Sequence, residues 1–315
     1  MYDQLLNLDP VKINFSAGGM AVINVVLAFV MYGVALGIRP SMLKEVFTKP
    51  KSVIIGACCQ LILLPALTFL LVVLFNNWIT PMVAMGMILV ASCPGGNISN
   101  FITHLSKGNS ELSVCLTAIS TSLSPITTPG NFAIWGGLYV KYLNTHAAGA
   151  LQELHLDLWD VFTTVFILLG IPLVLGMLTS HFLPKVAQKM KKPMQVFSIL
   201  FFIAMVVLSF TGNIDAFLKC IKYIVLVVFI HNLLALAIGF TVASVFKLPF
   251  KDRRTLTIET GIQNSGLGLV LLLGTSLFAG FPPHGGMLVI TAWWGIWHII
   301  SGLTISAIFN KTKKA

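Results

Sequence analysis

The sequence predicts an all-α integral membrane protein of nine transmembrane helices, built as an inverted repeat whose first helix is missing. Three observations point there. Only 10% of the 315 residues are charged and 57% are hydrophobic, with a mean hydropathy of +0.91, whereas soluble domains carry about 25% charged residues. Nine segments are long and apolar enough to span a bilayer as helices, which takes about 20 residues each. Two of those segments are interrupted by polar, glycine-bearing motifs at corresponding places in the two halves. The short alternating strands of a membrane barrel are absent from the pattern.

In chain order, residues 1–16 ("MYDQLLNLDPVKINFS") lack a basic stretch before an apolar core. They read as an exposed external tail rather than a signal peptide. The predicted spans are 17–38, 52–75, 81–106, 111–139, 159–183, 194–213, 220–246, 255–280 and 285–308, followed by a tail at 309–315. The third contains "CPGGNISN" (Cys93–Asn100) and the eighth "ETGIQNSG" (Glu259–Gly266). Proline and paired glycine free backbone groups that lipid cannot satisfy, so each span is expected to break there. The two broken spans run in opposite directions, one in a block of four spans and one in a block of five. That matches five plus five with the first helix lost, and interrupted helices in matching positions mark a midplane binding site.

The charges set an orientation. Arg39, Lys44, Lys49, Lys51, Lys107, Lys185, Lys189, Lys191, Lys192, Lys247, Lys251, Arg253, Arg254, Lys311, Lys313 and Lys314 fall in alternate loops. Only Lys12, Lys141, Lys219 and Lys222 fall on the other side. The positive-inside rule then puts the N-terminus outside and the C-terminus in the cytoplasm, in a plasma or bacterial inner membrane. A net charge of +10 distributed this way marks lipid topology, not nucleic acid. Cys58, Cys59, Cys93, Cys115 and Cys220 show neither metal spacing nor a disulfide framework.

Of the acidic residues, Glu259 alone is expected within the bilayer, the others belonging to tails, loops and a helix entrance. A buried charge is costly and normally paired. Glu259 lies five residues, about 8 Å of helix, past Arg254, so a snorkelling carboxylate at the interface is the plain alternative. Its polar company favours an ion site. Gln263 and Asn264 follow it, Ser99 and Asn100 lie in the other break, and Ser113 and Thr117 share one helical face. Neutral oxygens with one carboxylate suit sodium, whereas calcium recruits more carboxylates and zinc wants clustered His and Cys. His231 and His298 lie in apolar spans, His298 beside Trp293, Trp294 and Trp297. After a break at Gly95, Gly96 and Asn97, the next half-helix offers free N–H groups and a positive dipole end to an anion.

"CPGGNISNFITHLSKGNSELSVCLTAIST" and "LTIETGIQNSGLGL" resemble the bile acid:sodium symporter family, and the likeness runs from "MYGVALGIRP" to "WHIISG". The resemblance implies a panel domain (17–38 and 159–213) and a core domain (52–139 and 220–308), as in nine-helix members, with the two broken helices crossing. It implies two sodium ions sharing Glu259: site one with Ser99, Asn100, Ser113 and Thr117, site two with Gln60, Gln263 and the carbonyls of Thr260 and Ile262. Asn97, Ile98, Asn264 and His298 are the implied substrate contacts. The function so implied is sodium-coupled import of an amphipathic organic anion by alternating access, with small carboxylates, sulfated sterols and bile acids all open as cargo. A proton-coupled transporter of the same architecture, with Glu259 titrating, is the alternative. An embedded enzyme lacks support, since no HExxH, aspartate pair or Ser–Lys dyad is present.

Overall fold

Apolar runs in lipid must satisfy their own backbone, which helices do, and these runs fold accordingly. The computed structural model describes residues 1–10, 17–38, 44–146, 158–211, 214–274 and 284–311. Residues 11–16 and 312–315 of the expected tails, the 39–43 loop with Arg39, and 275–280 of the eighth expected span lie outside the described residues. So do Lys12, Lys313 and Lys314. The helices are α1 (Tyr2–Leu6), α2 (Ala17–Ala35), α3 (Lys44–Thr48), α4 (Pro50–Cys58), α5 (Leu64–Leu74), α6 (Pro81–Ser92), α7 (Ile98–Leu105) and α8 (Ser110–Asn131). They continue with α9 (Gly137–His146), α10 (Leu158–Phe182), α11 (Pro184–Thr211), α12 (Ile214–Val245), α13 (Phe250–Gly261), α14 (Ser265–Gly274) and α15 (Gly285–Lys311). Among the described residues no strand forms; Gly95 and Gln263 make an isolated antiparallel bridge. Pro50–Leu74, Phe217–Val245 and Gly285–Lys311 are each long and apolar enough to cross a membrane, and shorter apolar helices include Asn24–Ala35, Pro81–Ser92 and Phe166–Phe182.

Prolines inside these helices are compensated locally. Pro65 has no N–H for the Leu61 carbonyl, and the Asn131 amide donates to that carbonyl instead at 2.9 Å. Pro125 likewise frees the Thr121 carbonyl, which accepts from the Ser124 hydroxyl at 2.8 Å. A wide π turn at Cys59–Leu63 joins α4 to α5 and carries Gln60. Such turns recur at functional sites.

Small residues set the helix spacing. α6 is buried along its whole length, and a Cβ on Gly86 would lie 2.8 Å from the Met287 Cα of α15. A Cβ on Gly239 of α12 would lie 2.4 Å from the Leu256 carbonyl oxygen of α13. Backbones this close need glycine. α2, α10 and α11 pack on one another, and α10 also packs on α8 and α2 on α14; Gly176 sits against Ala35 and Tyr32, and Tyr32 donates to the Thr179 hydroxyl at 3.1 Å.

Two regions depart from the sequence reading. Asp252 and Arg254, expected in an exposed loop, are buried in α13. Asp252 accepts from Ser52 at 2.7 Å and Asn109 at 2.9 Å. Arg254 donates to the carbonyls of Ser106 (2.7 Å) and Phe309 (2.8 Å) and lies over the Phe250 ring. These long-range partners tie α4, α7, α8, α13 and α15 together at one end. The described part of the N-terminal tail is also packed rather than exposed, with Leu5 and Leu8 fully buried.

Asp9 anchors that tail. Its side chain accepts from Thr80 at 3.1 Å and its carbonyl accepts from the Gly285 N–H at 3.3 Å, at the starts of α6 and α15. Burial pushes the Asp9 carboxyl up to about 7, against the Thr80 hydroxyl that lowers it. The folded protein therefore holds more protons than the unfolded chain, whose aspartate titrates near about 4, and Asp9's contribution weakens as pH rises through that window. Asp9→Asn, which keeps the acceptor for Thr80, should melt with the wild type below about pH 4 and increasingly above it as pH rises to about 8. A melting difference independent of pH in detergent contradicts this reading.

Candidate functional site

Both expected interruptions are present, and they meet. α6 stops at Ser92 and α7 starts at Ile98; α13 stops at Gly261 and α14 starts at Ser265. Breaking a helix strands N–H and C=O groups. Here the two breaks satisfy each other: the Gly96 N–H donates to the Ile262 carbonyl at 2.9 Å, and the Asn264 N–H donates to the Pro94 carbonyl at 2.8 Å. The approach is tight enough that a Cβ on Gly96 would lie 3.1 Å from the Gln263 carbonyl oxygen. Gly95 is equally confined, its Cβ position 3.3 Å from Glu259 Oε2.

Glu259 does not snorkel. It is 3% exposed and faces the first break and α8. Its Oε1 accepts from the Ser99 hydroxyl at 2.5 Å and from the Ser113 hydroxyl; its Oε2 accepts from Thr117 at 3.0 Å. Asn100 Oδ1 lies 2.9 Å from the Ser113 hydroxyl and 3.3 Å from that of Thr117. Each hydroxyl has one proton, so Ser113 and Thr117 cannot serve both acceptors at once. If the carboxylate takes all three protons, Asn100 Oδ1 has none from these hydroxyls. When Glu259 is ionised, the cluster holds one negative charge and a surplus of acceptor oxygen. Among the described residues no Lys, Arg or His forms an ion pair with Glu259.

The second group of residues also comes together. The side-chain amides of Gln60 and Gln263 meet at 2.8 Å, and Gln263 Nε2 donates to the Thr260 carbonyl at 2.8 Å. With its amide turned over, Gln60 donates to the Glu259 carbonyl at 2.9 Å and accepts from the Gly95 N–H at 3.0 Å, satisfying both ends. The Ile262 carbonyl is the one held by Gly96. All these donors are hard oxygens around a single carboxylate, which fits a monovalent alkali cation better than calcium. Among the described residues no group of three His, Cys, Asp or Glu side chains gathers to hold a metal.

The substrate candidates are more scattered. Asn97 is exposed and Ile98 half-buried beside the first break. The Asn264 side chain accepts from the Leu267 N–H at 3.1 Å, capping α14. His298 is buried on α15, one turn before Gly302, which packs on Ile102 and Ile262. His231 is an interior histidine: its Nε2 lies 2.9 Å from the Thr68 hydroxyl and its ring 4.7 Å from that of Trp294.

Two residues that sequence reading passed over belong to the site. Ser120 accepts from the Gly95 N–H at 3.2 Å. It continues the face of Ser113 and Thr117 one turn on, a spacing that identifies it. Asn232 donates to the Gly261 carbonyl at 2.7 Å. It is the single asparagine in its apolar span.

The pattern of the Sodium Bile acid symporter family matches residues 24–220. The chain belongs to that family. It is 30% identical over 292 residues to the "Uncharacterized sodium-dependent transporter YocS" of Bacillus subtilis (strain 168), covering 93% of this chain and 84% of that protein. It is 28% identical to the "P3 protein" of Mus musculus over 73% of this chain and 46% of that protein. It is also 28% identical to "Probable sodium/metabolite cotransporter BASS1, chloroplastic" of Arabidopsis thaliana, over 78% of this chain and 57% of that protein. The chain thus spans about half of the last two. The family is one of membrane transporters, not enzymes.

Removing a donor from Glu259 leaves buried acceptor capacity unmet. Ser113→Ala should therefore destabilise the protein in sodium-free detergent by about 1–3 kcal/mol. Thr127→Ala, whose hydroxyl only folds back on the Leu123 carbonyl, should change stability by less than about 0.5 kcal/mol. Equal melting shifts for the two variants contradict the assignment.

Proposed function

We propose that the chain is a sodium-coupled symporter that imports an amphipathic organic anion by alternating access. The observation that carries this reading is the Glu259 cluster: a buried carboxylate among more acceptor oxygens than hydroxyl protons, with no cationic side chain paired to it among the described residues. A sodium ion supplies the missing positive charge. Two ions share the carboxylate, one with Ser99, Asn100, Ser113 and Thr117, the other with Gln60, Gln263 and the carbonyls of Thr260 and Ile262. Its likeness to a sodium-dependent transporter of Bacillus subtilis and to a probable sodium/metabolite cotransporter of Arabidopsis thaliana supports the coupling.

The same oxygens explain how ion binding prepares substrate binding. Ligands for each ion come from separate elements: α7, α8 and α13 for the first, the Cys59–Leu63 turn and the second break for the second. Binding sodium draws those elements together and fixes the crossing. The N-terminal ends of α7 and α14 bring positive dipole ends to that crossing, where Asn97, Ile98, Asn264 and His298 receive the anion. The core (52–139 and 220–308) then moves against the panel (17–38 and 159–213). With the N-terminus outside, two sodium ions and one monovalent anion move net charge +1 inward. That charge gains about 2.3 kcal/mol per 100 mV of inside-negative potential.

The test is uptake into proteoliposomes of labelled organic anions, with taurocholate and pantoate as probes of the large and small ends of the range. An inward sodium gradient should drive accumulation. Replacing sodium by choline, or introducing Glu259→Ala or Gln263→Ala, should abolish it, and an inside-negative potential should increase it. Undiminished uptake in choline contradicts sodium coupling, and uptake driven by a pH step without sodium establishes the proton-coupled alternative.

A further inference from the structure

The second break needs something to stop α13 at one residue and hold its last carbonyls in fixed directions. An α-helix leaves its final carbonyls without intrahelical partners, and the carbonyls around the end of α13 find theirs within the break and on two other elements. The Ile258 carbonyl accepts from the Ile262 N–H at 3.0 Å, closing the last helical turn. The Thr260 carbonyl accepts from Gln263 at 2.8 Å and the Ile262 carbonyl from Gly96 at 2.9 Å. Between them, the Gly261 carbonyl accepts from Asn232 Nδ2 at 2.7 Å. The peptide joining Gly261 to Ile262 is therefore held at both ends, its oxygen by Asn232 and its N–H by Ile258. Beyond it the backbone turns extended, with Ile262 at φ −116° and ψ 102°.

We infer that Asn232 is a positioning residue for the cation cradle: from α12 it clamps the Gly261 carbonyl and thereby aims the Thr260 and Ile262 oxygens on either side. The inference rests on the sodium reading above. Packing alone does not account for an amide at this position. Asn232 is 1% exposed and its Oδ1 has no partner, a cost that an apolar residue avoids. The orientation is not arbitrary either, because reversing the amide would set Oδ1 against the Gly261 oxygen. Close packing of α12 on α13 is supplied elsewhere, by Gly239 against Leu256 and by Leu236 over Gly261. What Asn232 adds is a donor to one carbonyl, that of Gly261, two residues past Glu259 on the last turn of α13.

The experiment is equilibrium binding of 22Na+ to the purified full chain, with melting temperatures taken in choline chloride. Asn232→Leu keeps the side-chain bulk and Asn232→Ala removes it; neither donates. Groups that orient metal ligands typically change affinity by roughly 10–100-fold when removed, so both variants should need at least about tenfold more sodium for half-saturation. Ion number at saturation should stay at the wild-type value, while the melting temperature in choline should fall, because the buried Gly261 carbonyl loses its donor. Ser52→Ala, which removes a buried donor from Asp252 away from the cradle, should also lower the choline melting temperature but leave half-saturation unchanged. Unchanged half-saturation in the Asn232 variants overturns the inference, as does an equal loss of affinity in Ser52→Ala, or failure of both Asn232 variants to fold. If the wild type itself binds no 22Na+, the sodium reading fails, and the inference with it. If the wild type binds and both variants bind equally well, only the role of Asn232 fails.

Discussion

The structure depends on one electrostatic constraint: a carboxylate buried in an apolar helix bundle with, among the described residues, no positive side chain paired to it. An unpaired buried ion costs several kcal/mol even after relaxation, and three hydroxyls offset only part of that. Ser99, Ser113 and Thr117 supply protons to Glu259 but carry no charge. The nearby guanidinium of Arg254 is directed elsewhere, at two carbonyls and an aromatic ring. On the sodium reading proposed above, a mobile cation completes the site in a way that a fixed arginine cannot, because it can leave.

The broken helices follow from the same constraint. Intact helices present side chains, not backbone oxygens. On the proposed reading the carbonyls of Thr260 and Ile262 serve as cation ligands, so the helix has to stop, and stopping strands backbone groups. The bundle resolves this by crossing two breaks and pairing them as a one-residue antiparallel bridge. Gly95 and Gly96 permit the approach, since side chains there would meet Glu259 and the Gln263 carbonyl. The arrangement leaves few protons uncommitted and several oxygens under-used, as the proposed cation site requires.

Much of this was legible in the chain. Pro94-Gly95-Gly96 and the polar run from Glu259 announce the breaks, because proline and glycine act locally. Ser113 and Thr117 announce a polar helical face for the same reason. What was not legible depends on contacts far apart in sequence. Asp252 and Arg254 read as loop charges until Ser52, Asn109, Ser106 and Phe309 are seen around them. The first residues read as an exposed tail for want of a signal-peptide pattern, and only packing reveals that Leu5 and Leu8 are buried. Asn232 sits in an apolar span whose periodicity carries no hint of the carbonyl it meets 29 residues later.

The most direct test of a sodium-neutralised carboxylate is a thermal-unfolding titration of the purified protein with sodium chloride, using choline chloride to hold ionic strength constant. A ligand that binds only the folded state raises stability with its concentration. The account predicts a sodium-dependent rise in melting temperature for the wild type. For Glu259→Gln, which keeps the shape and removes the charge, it predicts a flat response. An equal rise in both proteins, or none in the wild type, would contradict it.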